Sequence, residues 1–224
     1  MSSTSRRRWY DDACGTALAL ELVGERWALL IVRELMFGPR RFSQLRASLP
    51  GISANVLTQR LEGMEVAGIL MRRKLPPPAD DVQVYELTPW GYESETAIQE
   101  LGRWAVRSTQ HDPTLPLSAA SIMMSFRTMI DRSRSGGHPM TAGFKLGNES
   151  FVARVDGEGI AVRRAETDGA DFILEAKPTA LAAVIYGGTA LAEAEAAGLV
   201  KLSGDRKLAQ RFTTLFPLPA KIGD

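Results

Sequence analysis

Four polar side chains recur at helical spacing in the first third of the chain: Asn55, Thr58, Gln59 and Glu62. Amides and hydroxyls both donate and accept hydrogen bonds. A row of them along one helix face can therefore exchange bonds with a fixed array of donors and acceptors, such as the base edges in a DNA major groove. Basic residues crowd the same stretch: Arg40, Arg41, Arg46, Arg60, Arg72, Arg73 and Lys74. Between positions 40 and 74 only Glu62 and Glu65 oppose them. Such cations can hold backbone phosphates, with an affinity that falls as salt rises.

The elements that must position these groups can be read around them. Ser53 stands where an N-cap belongs, and Leu57, Leu61 and Met64 recur at i, i+4 and i+7 as one apolar stripe. Val56 and Arg60 flank the polar face, and Gly68 stands as the C′ stop. An ordinary surface helix with a solvated side has the same pattern, so the neighbours decide. Phe42-Ser43-Gln44-Leu45-Arg46 is a short helical pattern, and Leu49-Pro50-Gly51-Ile52 is a turn. Helix, tight glycine-containing turn and second helix make a helix-turn-helix. Arg40 and Arg41 sit at the start of the short helix, whose N-terminus adds positive partial charge towards a phosphate.

Two strands, Ile69 to Leu75 and Val82 to Leu87, are expected behind the second helix, with Pro76 to Asp81 as a wing tip. Arg72, Arg73 and Lys74 on the first wing strand would lie near a flanking phosphate or minor groove. Asp80 and Asp81 argue against the tip itself entering a groove. Ahead of this block, Cys14, Ala17, Leu18 and Leu22 form an apolar stripe, and Trp27, Leu30, Ile31 and Leu35 form another, stopped by Gly38-Pro39. Thr88-Pro89 opens a further helix with Ala97, Ile98, Leu101, Trp104 and Ala105 on one face. One short domain cannot easily cover that face and the Cys14 stripe together. The expectation is a homodimer through these two helices, with packing against the second domain as the alternative. Cys14 is expected to pack as a buried thiol, its pKa raised by Asp11 and Asp12; a redox role is the alternative.

Several motifs occur together and in order: Cys14, Leu22-Val-Gly-Glu-Arg-Trp27, Arg33-Glu-Leu, Gly38-Pro-Arg-Arg-Phe-Ser-Gln-Leu45, Leu49-Pro-Gly-Ile-Ser53, Leu57-Thr-Gln-Arg-Leu61 and Tyr85-Glu-Leu-Thr-Pro-Trp-Gly91. Over about residues 10 to 108 the chain resembles the HxlR-type winged-helix regulators. Trp90 and Tyr92 depart from the smaller or more polar residues usual there. The resemblance implies a homodimeric bacterial transcription regulator whose recognition helix starts near Ser53 and whose partner is double-stranded operator DNA. In some relatives an N-terminal cysteine equivalent to Cys14 senses oxidants or electrophiles.

His111-Asp-Pro-Thr-Leu-Pro is a linker by composition, and the texture changes beyond it. Ser118 to Ile130 is helical, and then alternation sets in over Met140 to Leu146, Phe151 to Val155, Ile160 to Arg164 and Phe172 to Ala176. Gly147-Asn148 and Asp156-Gly157-Glu158-Gly159 are the turns. Helices follow over Thr179 to Tyr186 and Leu191 to Ala197, then a strand at Leu199 to Leu202 and a last helix through Phe212, Leu215 and Phe216. The implied fold is α+β, an antiparallel-rich sheet covered by helices on one face. With Asp171-Phe-Ile-Leu-Glu, Gly187-Gly188 and Gly198-Leu-Val-Lys-Leu-Ser-Gly-Asp205, it resembles the sterol carrier protein type 2 domain over about residues 118 to 217. That resemblance implies a hydrophobic cavity between sheet and helices, used in relatives for lipids or acyl chains; the candidate lining here is Phe126, Met129, Val184, Ile185, Tyr186, Leu191, Phe212 and Phe216, and the expected occupant is an apolar small-molecule effector. The alternative is that these residues fill a core.

Composition bounds the rest. The chain has 224 residues, a formal net charge of +1 and one cysteine. No run approaches ~18 apolar residues, so no membrane span is expected. The basic start, Met1 to Arg8, lacks an apolar region after it and does not read as a secretory signal. A cytoplasmic protein is expected. His111 and His138 are far apart, and neither a metal-ligand cluster, a nucleophile elbow, a P-loop nor a dinucleotide fingerprint is present. The sequence thus calls for no enzyme, metal or cofactor. Its expected organisation is a winged helix-turn-helix DNA-binding and dimerisation domain over 1–112 and a sterol-carrier-like domain over 113–224. The rival reading is a lipid or acyl carrier whose winged helix is a protein-interaction module.

Overall fold

The structure, a computed structural model, describes residues 10–76, 82–137 and 139–223. The basic tail at 1–9, the wing tip at 77–81 and His138 lie outside the described residues. Contacts divide the chain into two compact units, Met1–Ser94 and Glu95–Asp224.

In the first unit, α1 (Gly15–Val23) and α2 (Ala28–Leu35) precede α3 (Phe42–Ser48) and α4 (Ala54–Val66). Strands β1 (Leu70–Lys74) and β2 (Gln83–Leu87) and the short α5 (Pro89–Glu93) complete it. The strands pair antiparallel with Leu70 opposite Leu87 and Lys74 opposite Gln83. Ile31, Val32 and Leu35 of α2, Leu45 of α3, Leu57, Leu61 and Met64 of α4, and Val84 and Leu87 of β2 are all buried. Three helix stripes and the inner face of the wing thus share one aliphatic core. The expected stripe on α1 does not close in the same way. Of its members only Ala17 is buried, while Leu18 is 44% exposed.

The helix expected to open at Thr88-Pro89 is broken in two. Thr88 Oγ1 accepts from the Gly91 N–H at 3.0 Å, with Pro89 in the first turn. At the helix's far end Ser94 Oγ donates to the Gly91 carbonyl at 2.6 Å. A hydroxyl that takes a helical carbonyl competes with continuation of the backbone ladder. Helix α6 (Glu95–Ala105) starts afresh in the second unit. It packs against α7 (Ala119–Met129), and Arg127 Nη1 donates to Glu95 Oε1 at 2.9 Å. Compactness therefore puts the boundary at 94/95 rather than in the proline-containing linker at 112. The C-terminal segment adds to this tie. Ile222 N–H donates to the Arg107 carbonyl at 2.8 Å, and Lys221 Nζ donates to the Val106 carbonyl at 2.9 Å.

The second unit continues with α8 (Arg132–Ser135), β3 (Met140–Leu146), β4 (Glu149–Asp156), β5 (Gly159–Arg164), β6 (Phe172–Ala176), α9 (Pro178–Ile185), α10 (Leu191–Ala196), β7 (Val200–Gly204) and α11 (Arg206–Thr213). The sheet order is β5-β4-β3-β6-β7, antiparallel throughout except for the β3–β6 pair, which is parallel. Gly147 at φ +69 takes the first central position of the β3–β4 turn, a backbone that L side chains resist. Met140, Ala142, Phe144 and Leu146 alternate inwards on β3, and Phe151, Ala153 and Val155 do so on β4. Both predicted fold classes are borne out.

Candidate nucleic-acid interface

Helix α4 is positioned by local chemistry at both ends. Ser53 Oγ accepts the Val56 N–H at 3.2 Å, satisfying one of the orphan donors of the first turn. At the other end Gly68, at φ +76, donates to the Glu65 carbonyl at 3.0 Å, and Ile69 donates to the Met64 carbonyl at 2.9 Å. That reciprocal pair is a Schellman ending, and it turns the chain directly into β1. Between α3 and α4, Gly51 at φ +92 makes the turn, where its missing side chain leaves the Trp27 ring 3.8 Å from the would-be Cβ. Trp27 itself holds φ +81, the sole non-glycine residue in that region among the described residues.

The polar face lies as its spacing implies. Ser53, Asn55, Thr58, Gln59 and Glu62 are exposed, while Leu57, Leu61 and Met64 are buried beneath them. Val56 is half-buried at the margin. Arg41 and Arg46 of the preceding segment are exposed and make no ion pair among the described residues. These groups share the α3–turn–α4 module.

Two of the arginines expected to face phosphates are engaged within the protein. Arg40 is only 5% exposed. Its backbone exchanges hydrogen bonds with Tyr85, at 2.9 and 2.8 Å, and its Nη2 donates to Ser48 Oγ at 3.1 Å. A guanidinium so enclosed joins α3 to the wing instead of reaching outwards for a phosphate. Arg60 folds back across α4: its Nη2 donates to Glu25 Oε2 at 2.7 Å and its Nε to the Arg26 carbonyl at 3.0 Å. Neither contact could be read from local spacing, because the partners of Arg60 lie 34 and 35 residues earlier.

The wing cations are also engaged. Arg72 Nε donates to Glu65 Oε2 at 2.7 Å, a strand-to-helix clamp that holds the Glu65 carboxyl below its usual pKa and raises that of Arg72. Arg73 donates to Glu86 across the wing, and that carboxylate likewise raises the arginine's pKa. Lys74 is exposed. The basic patch is therefore less positive than its composition suggests, since Glu25 and Glu86 join the opposing charges.

Cys14 needs the largest correction. The helix begins at Gly15, one residue later than the apolar pattern implied, so Cys14 is the N-cap residue and its thiol is exposed. The Thr16 N–H, then its hydroxyl, then the Ala17 N–H favour the thiolate and put the thiol below its ordinary pKa. Backbone N–H groups at a helix start favour the thiolate, the opposite of the direction expected from Asp11 and Asp12.

Several of the side chains expected to line a cavity in the second unit pack against one another. Phe126, Phe212 and Phe216 meet ring to ring, with centroids 4.6 to 5.4 Å apart, and Phe144 and Phe172 join them at 5.5 to 5.7 Å. These are packed aromatic contacts, the arrangement of a core at Phe126, Phe212 and Phe216. Met129, Val184, Ile185 and Leu191 are buried with them. Tyr186 is held by a 2.8 Å hydroxyl contact with Ser125, and burial pushes its phenol pKa up.

Comparison with known proteins places this module. The HxlR-like helix-turn-helix family model matches residues 22–113. The HTH-type transcriptional regulator YvaP of Bacillus subtilis is 34% identical over 87 residues, covering 39% of this chain and 80% of the relative. The chain belongs to the HxlR-like family. A second HxlR-like relative, the HTH-type transcriptional regulator YodB of the same organism, is 38% identical over 87 residues, 39% of this chain and 77% of that one. The solved reduced form of YodB covers 45% of this chain and 100% of its own, at 33% identity and a TM-score of 0.40. Residues 137–217 match the SCP-2 sterol transfer family model. The HxlR-like match ends beside the linker and takes in α6, which the contacts assign to the second unit. These relatives are transcriptional regulators, not enzymes. Among the described residues no group of His, Cys, Asp and Glu is placed to hold a metal ion, and no helix is long and apolar enough to cross a membrane.

Proposed function

We propose that this chain regulates transcription as a homodimer, with α4 in the major groove of operator DNA. The observation that carries the reading is the exposed run Ser53, Asn55, Thr58 and Gln59 at the capped start of α4, beside the exposed cations Arg41 and Arg46. The polar groups read base edges, and Arg41, Arg46 and the wing residues Arg72, Arg73 and Lys74 set the register on phosphates. Two exposed apolar faces support the dimer: Leu18 on α1, and Leu101 (48% exposed) with Trp104 (74% exposed) on α6. Large apolar groups so displayed mark surfaces that another molecule covers.

The test begins by selecting bound fragments from random duplexes with the full-length protein. Titrations of the recovered fragment at several salt concentrations follow. Replacing Arg41 and Arg46 together by Ala should lower the slope of log affinity against log salt by about 1.8, from two phosphate contacts at ~0.9 each. An unchanged slope, or failure to enrich any fragment, would refute the assignment.

A second role is favoured by one observation, the exposed Cys14 thiol at the N-cap position of α1, and the direction of its pKa agrees. We infer that it responds to oxidants or electrophiles. Its alkylation rate should reach half its plateau at a lower pH than a free cysteine, and quinone should weaken DNA binding in the native protein but not in Cys14→Ser. Equal responses in both proteins would remove this role. For the second unit, the interlocked phenylalanines support a bracing module over a carrier, because an apolar effector at that place would have to displace a ring.

A further inference from the structure

In the first unit, α1, the start of α2 and α4 enclose a groove of 420 Å³. That volume suits a small organic molecule. Leu20, Leu22, Ala28 and Met64 are its apolar lining, and polar side chains of Glu21, Glu25, Gln59 and Arg60 line it as well.

Charge selects among possible occupants. Arg60 is already paired with Glu25 at 2.7 Å, so those two charges offset each other. Glu21 accepts the backbone N–H of Tyr10 at 3.2 Å and has no cationic partner among the described residues. Among the described residues the groove therefore presents one carboxylate without a countercharge beside an apolar lining. A second feature points the same way. Gly63 lies in the interior of α4, where glycine weakens a helix relative to alanine. A Cβ there would meet nothing within 4 Å, so close packing inside the protein does not demand glycine at this position. Gly63 lines the groove, and any side chain on it would project into the free space. Its effect is to keep the groove deep.

We propose that this groove binds a small organic cation with an apolar body. The cationic centre lies against Glu21, and the body lies on Leu20, Ala28 and Met64 over Gly63. Tetraphenylphosphonium and tetraphenylborate test this directly, because they share size and shape and differ in the sign of their charge. Calorimetric titration of the full-length protein, without DNA, should find saturable uptake of one phosphonium per chain. The borate should bind at least about tenfold more weakly, as a like charge beside a carboxylate must. Glu21→Gln should erase most of that preference, and Gly63→Leu should abolish uptake while circular dichroism shows an intact fold. If Gly63→Leu does not fold, Ala67→Leu, one turn along the same wall, serves in its place. Equal binding of the two ions, no saturable binding of either, or undiminished uptake by the filled variant would overturn the proposal. So would conversion of a native oligomer into monomers by the filled variant, because the groove would then seat a second copy of the chain.

Discussion

The recognition-helix region and the phenylalanine cluster put similar sequence signals to opposite uses. In α4 the side chains that stand out by type, Asn55, Thr58 and Gln59, are outside, and the interior beneath them is aliphatic. In the second unit the residues that stand out, Phe126, Phe212 and Phe216, are inside and touch one another. Polar groups at helical spacing announce a surface, because burial without partners is costly. Large apolar groups announce only burial. They do not say whether they enclose a space or fill one. The difference is one of physical information: polar spacing encodes exposure, whereas a filled core and a lined cavity share one apolar pattern.

The largest effect that would break this contrast lies in the cluster. Phe212 is fully buried and its ring meets those of Phe126, Phe144, Phe172 and Phe216 at 4.8 to 5.7 Å. Phe212→Ala should cost about 3–5 kcal/mol in the unfolding of the second unit, measured by urea denaturation. A loss below about 1 kcal/mol would mean that the site collapses freely or was loosely packed, and the cavity reading would return.

The α4 face should behave in the opposite way. Asn55→Ala should leave stability within about 0.5 kcal/mol of the parent, since its side chain is exposed and the cap bond is made by Ser53. On the selected duplex the same variant should lose about 1–3 kcal/mol of discrimination at one base pair. Competition binding against single-base variants measures it. A uniform loss across all sequences would demote Asn55 from reading bases to touching the backbone.

What could be read in advance follows the range of the interactions. Ser53 as a cap, the Leu57–Leu61–Met64 stripe and Gly68 as a stop depend on neighbours within a turn or two, and each is where the spacing put it. The pairing of Arg60 with Glu25, the enclosure of Arg40 by Tyr85 and Ser48, and the parallel β3–β6 pair all join residues distant in sequence. Nothing in local periodicity encodes them. Cys14 failed for a smaller reason. A one-residue error in the start of α1 moves a side chain from a helix stripe to the exposed N-cap, and boundaries are the least certain part of any pattern. The break at Ser94 was hidden for the same kind of reason, since its hydroxyl-to-carbonyl bond is a choice of rotamer and not of residue type alone.

The smallest expected effect concerns His111, at the join between α6 and the rest of the second unit. Burial first, then the nearby Lys221 cation, hold its pKa below the ordinary value, with Asp112 acting weakly in the other direction. Lys221 Nζ, while donating to the Val106 and Ser108 carbonyls at 2.9 and 3.1 Å, lies 3.4 Å from His111 Nδ1. A neutral ring can accept from that ammonium; a protonated ring would repel it. The folded chain therefore binds this proton less readily than the unfolded chain does. Stability should be fully present above the ordinary histidine pKa of 6.5 and should decline as pH falls through it. His111→Gln should flatten that part of the profile in chemical denaturation series run on either side of the pKa, leaving the carboxylate-driven losses at lower pH in place. If the parent and the variant lose stability in parallel across this window, the lysine–histidine contact does not help to hold α6 in the second unit, and the boundary at residue 94 would rest on the α6–α7 packing, the Arg127–Glu95 pair and the backbone bonds of the C-terminal segment.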